Sequence, residues 1–301
     1  MSTVHFVHTG TAYLPELAAY ATHLNQLGHS SQTHHSADSV PDNADMVWWM
    51  CGQVSAHHSR RLHRSLHVHE YASASVPPAA WLKDRVKQLT HPRPQHRIFQ
   101  NEWVRQRMGL TDAVPYSLRD MGVPAAFLTA QAKQAPEFDL VYLGVMSRLT
   151  AFWPALQSIG QAGLRLLLIG DVPPALQARL QGLPNIHSTG RLPQGEVPAQ
   201  LLRARVGLNL MPEVLPLTEQ TSTKMLEYLA TGLPVISNPY AWAQGMAQQH
   251  AGRVQLLNPL STPQQWQMAV AQAPAPLAER SHLHALSWSA QLDNLPVWQM
   301  L

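Results

Sequence analysis

Glu219-Gln-Thr-Ser-Thr-Lys-Met-Leu-Glu-Tyr-Leu-Ala-Thr-Gly-Leu-Pro-Val-Ile-Ser237 is the stretch whose reading decides the fold. Met225, Leu226, Leu229 and Ala230 recur at helical spacing, Gly232 stands where a left-handed C-terminal residue ends a helix, and Leu233 to Ile236 reads as a short buried strand. The first half supplies an anion site. Thr221, Ser222 and Thr223 bring cap-type hydroxyls and free N–H groups to the helix start. Lys224 lies in the first turn, where the helix dipole disfavours a cation unless an anion is bound. Thr223 and Glu227, four apart, share one face a turn from that site. A phosphate at the helix start and a carboxylate within reach of sugar hydroxyls describe a pocket for a nucleoside diphosphate.

Working outward, strand and helix patterns alternate along the chain, which predicts an α/β protein with two doubly wound, Rossmann-like domains. The 301 residues suffice for two cores, and 24 prolines cut the chain into short elements. Val4–Val7 predicts a first strand, His8 to Thr11 a turn, and Tyr13–Leu27 a helix closed by Gly28. That turn lacks Gly-x-Gly-x-x-Gly, so a dinucleotide site is not expected. Met46–Met50, Leu66–His69 and Arg97–Gln100 predict further strands, with helices over Val54–Arg64, over Val76–Leu89 after Pro77-Pro78, and over Glu102–Met108. Gln131 to Glu137 lacks large apolar residues and reads as a linker, giving domains 1–130 and 131–301. Asp139–Val145, Leu164–Gly170 and Val206–Leu210 predict strands of the second domain, and Leu277–Leu286 and Ser289–Leu301 helices that end the chain.

Composition narrows the function classes. The single cysteine, Cys51, excludes a disulfide framework and reads as a small buried hydrophobe beside Trp48 and Trp49. There is no basic, apolar leader pattern and no run of membrane-spanning length, so a soluble, cytoplasmic chain is expected. From Arg60 to Arg107, ten Lys/Arg stand against three acids (Glu70, Asp84, Glu102). That face either meets a phosphorylated lipid or the inner surface of a membrane, or is simply a solvated basic face. No nucleic-acid-binding motif accompanies it. His67 and His69 have the spacing of a zinc pair without a third ligand, so no metal is expected.

The central stretch also resembles the signature of the retaining glycosyltransferases of family 4, which have the GT-B fold of two such domains facing across a cleft. Glu219 and Glu227 stand as Glu-x7-Glu before the helix and Gly-Leu-Pro-Val. By this resemblance Glu227 binds the ribose of the donor and Glu219 sits beside the transferred sugar, with Glu213 a nearby competitor for that place. The segment between them is Gln-Thr-Ser-Thr where the family often has Gly-Phe-Gly. The strand ending His69-Glu70-Tyr71 implies that His69 touches the sugar and that Glu70 is a helper or a structural acid. Arg148, after the strand from Asp139, matches an arginine held against the donor diphosphate. The lysine that usually follows it is replaced by Leu149-Thr-Ala-Phe-Trp153, and Lys224 is the candidate second charge. The loop Gly190-Arg-Leu-Pro193, with Leu192, is implied to hold the base, and Gly10 to face the cleft. A Ser-Trp-Ser segment around Trp288 is like the one that often ends these enzymes, the tail crossing back to the first domain.

The expectation is therefore transfer of a sugar from a nucleotide-sugar donor to a glycan or lipid-linked acceptor, without a cofactor. In the family the leaving diphosphate takes the acceptor proton, which agrees with the lack of an evident carboxylate pair or triad. Arg148, Lys224 and the N–H groups at Ser222 and Thr223 would stabilise the departing charge. Two other classes stay open: a nucleotide-sugar epimerase of the same architecture, and a non-catalytic subunit that binds a nucleotide sugar.

Overall fold

The structure is a computed structural model and describes residues 1–10, 14–50, 54–75 and 78–301. Cys51, with Thr11, Tyr13, Val76 and Pro77 at the ends of the expected turn and helices, lies outside the described residues. Contacts divide the chain into two units, Met1–Gly122 with Trp288–Leu301, and Val123–Ser287. The division comes before the 130/131 boundary drawn from composition, and the tail from Trp288 belongs with the first unit.

In the first unit the strands are β1 (Thr3–Val7), β2 (Ser30–His34), β3 (Met46–Met50), β4 (Leu66–Tyr71), β5 (His96–Phe99) and β6 (Tyr116–Leu118). The helices between them are α1 (Pro15–Gln26), α2 (Ala56–Arg61), α3 (Ala80–Thr90) and α4 (Glu102–Met108). All strand pairs are parallel, in the order β2-β1-β3-β4-β5-β6. The order reverses between β1 and β3, so right-handed crossovers put α1 on one face and α2, α3 and α4 on the other.

Strand alternation then sorts the side chains of β4. Val68 and Glu70 face the core formed by Phe6, Tyr20, Trp48 and Ile98 with Leu292, Leu295 and Val297 of the tail. Glu70, about 1% exposed, accepts from Tyr20 Oη (3.0 Å) and Trp48 Nε1 (2.7 Å) and pairs with the guanidinium of Arg119. Arg119 Nε also donates to Tyr20 Oη (3.0 Å), and Glu16 stands 3.7 Å from the same guanidinium. Of the two roles the sequence left to Glu70, this is the structural one. Trp288 and Trp298 are packing residues: Arg119 lies over the Trp288 ring at 5.4 Å, and Trp298 sits 5.7 Å from Trp48.

The second unit contains β7 (Phe138–Leu143), β8 (Leu166–Ile169), β9 (Ile186–Gly190), β10 (Ala204–Asn209), β11 (Val235–Ser237) and β12 (Val254–Leu256). Its helices are α5 (Ala125–Thr129), α6 (Trp153–Gln161), α7 (Pro174–Leu180), α8 (Val197–Leu201), α9 (Thr223–Ala230), α10 (Ala241–Gln249) and α11 (Pro263–Gln272). The sheet is again parallel, in the order β12-β11-β10-β7-β8-β9, the dinucleotide-fold order with its reversal between β7 and β10. Gly232 takes φ +83° behind α9, as the helix-ending role requires. Gly207 lets β10 lie flat on Tyr228 of α9, because a Cβ there would come within 2.4 Å of the ring. The long terminal helices expected from the sequence are short instead: a 3-10 turn over Ser281–Leu286, α12 (Trp288–Leu292) and a 3-10 turn over Pro296–Met300, interrupted at Asn294-Leu295-Pro296.

Removing Glu70 takes from the buried Arg119 guanidinium its nearer carboxylate, with Glu16 standing farther off at 3.7 Å. Glu70→Ala is expected to cost about 3–5 kcal/mol of stability, read as a lower urea midpoint; a loss under 1 kcal/mol would show that the pair is dispensable.

Candidate functional site

The candidate site is built at the C-terminal ends of β7 and β10, where the strand order of the second sheet reverses and ligands of open α/β sheets collect. A 3-10 turn over Met146–Phe152 follows β7 and carries Arg148, half-buried, with Nη1 3.9 Å from the Met211 sulfur. The chain after β10 runs through a polar loop to α9, whose first turn brings Lys224 back beneath the strand ends. Lys224 is buried; its Nζ donates to Tyr142 Oη (3.1 Å) and to the Leu210 carbonyl (3.1 Å) and stands 4.2 Å from the Tyr142 ring centre.

The electrostatics of this ammonium are unfavourable. Burial, and next the positive charge of Arg148, push the Lys224 pKa down to about 7, against a smaller opposing pull from Glu227. Glu227, half-buried one turn on, is pushed up to about 8, mainly by burial and less so offset by Lys224. Burial also raises the Tyr142 hydroxyl to about 12, so it stays neutral beneath the ammonium. The arrangement therefore holds two cations, Arg148 and Lys224, near the start of a helix whose Thr223 and Lys224 N–H groups have no acceptor within the helix. An anion there relieves the repulsion between the cations and takes up those donors.

The helix start is positioned differently from the cap expected. Ser222 is the N-cap residue, yet its hydroxyl makes no cap bond; it donates to Asn209 Oδ1 (2.8 Å). Asn209 Nδ2 in turn donates to Ser237 Oγ (2.8 Å) and Tyr240 Oη (3.0 Å), tying α9 to β10, β11 and the residue before α10. Asn238 clamps Met211 through both backbone groups, accepting from its N–H (2.8 Å) and donating to its carbonyl (3.0 Å). Tyr228 Oη accepts from the Leu143 N–H (2.7 Å) and donates to the Leu208 carbonyl (3.2 Å), joining β7 to β10. Tyr142, Asn209, Asn238 and Tyr240 were missed as site residues. Asn209 did leave a signal, an amide within an otherwise apolar buried strand.

Arg148, Ser222, Thr223, Lys224 and Glu227 are thus brought together. Glu219 is half-buried in the turn before α9, its N–H bonded to the Pro216 carbonyl (3.0 Å), while Glu213 is exposed. Leu192 lies at the other side of the sheet, half-buried in the loop after β9. Gly10 and His69 belong to the first unit, Gly10 exposed beyond β1 and His69 about 2% exposed within β4. Both ring nitrogens of His69 lack a hydrogen-bond partner, and burial, then His91, Arg97 and His67, hold its pKa well below the ordinary histidine value. The zinc pairing fails at His67, whose Nδ1 accepts from Trp49 Nε1 (3.0 Å) and whose Nε2 donates to the Leu62 carbonyl (2.9 Å). Among the described residues no group of three His, Cys, Asp or Glu is placed to hold a metal ion.

Comparisons with known proteins bear on the same unit. Residues 137–273 match the family model described as glycosyl transferases group 1. Solved structures are similar over nearly the full length of the chain. AviGT4, a glycosyltransferase involved in avilamycin A biosynthesis, has TM-score 0.66 at 14% identity, with 100% of this chain and 97% of that one covered. The sucrose-phosphate synthase of Thermosynechococcus elongatus has TM-score 0.69 at 13% identity, covering 99% and 98%. HepE of Anabaena, solved with UDP-glucose, has TM-score 0.63 at 10% identity, covering 100% and 97%. No curated protein matches. At these identities the structural likeness shows the fold, two α/β units of GT-B type; with the family match it supports a glycosyltransferase.

An anion bound beside Lys224 must hold that lysine charged. Affinity for pyrophosphate is therefore expected to fall as pH rises through about 7, where the free lysine loses its proton. Above that pH binding must take a proton up. Calorimetry at pH 8 in buffers of different ionisation enthalpy reads this directly. Lys224→Met should remove most of the uptake and weaken binding at least about tenfold; unchanged uptake in the variant would assign the proton to another group.

Proposed function

We propose that this chain is a retaining glycosyltransferase of family 4 that moves a sugar from a nucleoside diphosphate donor to a glycan or lipid-linked acceptor. The observation that carries the proposal is the pair of cations, Arg148 and half-paired Lys224, at the β7/β10 reversal beside the start of α9. Charge grows on the leaving diphosphate as the glycosidic bond breaks, so cations and N–H groups fixed beforehand are worth more in the transition state than in the ground state. In this reading the departing diphosphate accepts the acceptor proton on the same face of the sugar. No protein base and no metal are assigned a step.

The other roles follow the family resemblance. Glu227 accepts from the ribose hydroxyls; its neutral form, favoured by burial, can also donate. Glu219 orients the transferred sugar, Leu192 and its loop hold the base through backbone groups, and Gly10 lines the acceptor side. His69 touches the sugar, a role supported by its two unpartnered ring nitrogens. HepE was solved with UDP and with UDP-glucose, which makes uridine nucleotides the first donors to try.

The test is incubation with nucleotide sugars and an acceptor panel, with release of nucleoside diphosphate and the anomeric configuration of the product followed by NMR. Product of the donor's own configuration is expected. Inverted product would overturn the retaining mechanism, and an altered nucleotide sugar without diphosphate release would make the chain an epimerase. Arg148→Ala is expected to lower kcat by about 10²–10³ with a smaller rise in KM. Glu227→Ala is expected to weaken donor binding about tenfold or more, in the range of a lost charged or buried hydrogen bond; unchanged donor affinity would remove the ribose assignment.

A further inference from the structure

Helices α2, α4 and α11 begin at residues that cap them in the ordinary way. Ser55 Oγ accepts from the His58 N–H (3.2 Å), Asn101 Oδ1 from Val104 (2.9 Å) and Thr262 Oγ1 from Gln265 (3.3 Å). Ser222 holds the same place before α9, yet its side chain makes no such bond. The backbone enters the helix normally, the Ser222 carbonyl accepting from the N–H groups of Met225 (3.0 Å) and Leu226 (3.2 Å). Only the hydroxyl is turned away.

What turns it away is Asn209, a side chain fully buried at the end of β10. A buried amide is stable only with its donors and its acceptor taken up. Here Oδ1 accepts from Ser222 Oγ (2.8 Å), and Nδ2 donates to Ser237 Oγ (2.8 Å) and to Tyr240 Oη (3.0 Å). Ser222 also hydrogen-bonds the Tyr240 hydroxyl, which closes a ring of three side chains. Ser237 is fixed in turn by donating to the Asn238 carbonyl (3.0 Å). All four side chains are buried, so the Ser222 hydroxyl cannot swing to the helix without leaving Asn209 Oδ1 unsatisfied.

The consequence falls on the amides of the first turn. A capping serine takes up the N–H of the second or third helical residue, here Lys224 or Met225. The Met225 N–H is already bonded to the Ser222 carbonyl, so the amide left for a capping hydroxyl is that of Lys224, whose ammonium feels the charge of Arg148.

We infer that Asn209 is a positioning residue: by holding the Ser222 hydroxyl off the start of α9, it keeps the Thr223 and Lys224 N–H groups open to the diphosphate of the donor. Asn209 acts through Ser222, with Tyr240 as the other side of the clamp. An uncapped start weakens α9, and a bound diphosphate supplies the acceptor that the serine withholds. The inference rests on the diphosphate seat proposed above and adds the residue that stops the helix from closing it.

The test is calorimetric titration of the full chain with pyrophosphate below about pH 7, where Lys224 keeps its proton. Asn209→Ala releases the Ser222 hydroxyl to compete for the Lys224 N–H. Affinity is expected to fall about fivefold, the usual worth of one capping bond. Adding Ser222→Ala removes the competitor, and most of the lost affinity is expected to return; a general loosening of the site would not be repaired by a second truncation. Tyr240→Phe keeps the ring and takes away part of the clamp, so a smaller fall, again reversed by Ser222→Ala, is expected. Equal affinity in the parent chain and Asn209→Ala would overturn the role of Asn209 and leave the diphosphate seat in place. So would a failure of Ser222→Ala to restore binding or, should Asn209→Ala not fold, unchanged affinity in Tyr240→Phe. No binding of pyrophosphate by the parent chain would overturn the seat itself.

Discussion

The second unit is organised around an ammonium group in a place that disfavours it. Lys224 is buried, sits in the first turn of a helix, and has Arg148 as its charged neighbour. Each of these opposes a positive charge. What offsets them is modest: one hydroxyl, one carbonyl, the face of Tyr142 and a smaller pull from Glu227. The surrounding residues hold the lysine there all the same. Tyr228 joins β7 to β10, Asn209 ties α9 to both neighbouring strands, and Asn238 fixes the chain at Met211. A fold that holds these two cations near one another with so many buried hydrogen bonds suits the diphosphate proposed to bind there.

The first unit has its own buried charge, and the contrast is informative. Arg119 and Glu70 neutralise each other inside a ring of aromatic side chains, and Tyr20 and Trp48 take up further lone pairs. That cluster pairs its central charges within the protein and sits under the sheet and the tail packed upon it. His69, one residue from Glu70 along β4, faces the other way and has unpartnered ring nitrogens. Neighbouring residues of one strand thus divide between a paired charge and a buried imidazole, because successive side chains alternate across the sheet.

Much of this was legible in the chain. The run from Met225 through Ile236 carries helix, left-handed glycine and strand in order, and the buried strands β3 and β8 are continuous apolar runs. Strand β2 was not legible, because Ser-Ser-Gln-Thr-His at a sheet edge has neither an apolar run nor alternation. The three-residue β6 is too short to show a period. Ser222 was legible as a helix start but not as a partner of Asn209, which lies thirteen residues earlier. The helical period at α3 was legible, yet periodicity is the same whether the leucines face in or out. Only the bonds of Asp84, Lys87 and Gln88 decide that.

The central claim is that Arg148 and Lys224 form the seat of a nucleoside diphosphate. A thermal shift against UDP, GDP, ADP, dTDP and CMP tests it most directly, run in parallel on the parent chain and on the Arg148→Ala, Lys224→Met double variant. At about a hundred times its dissociation constant a ligand stabilises the fold by roughly 2.7 kcal/mol, a clear rise in midpoint. The account predicts that rise for one of the diphosphates in the parent chain and its loss in the double variant. No rise with any nucleotide, or an equal rise in the variant, would contradict it.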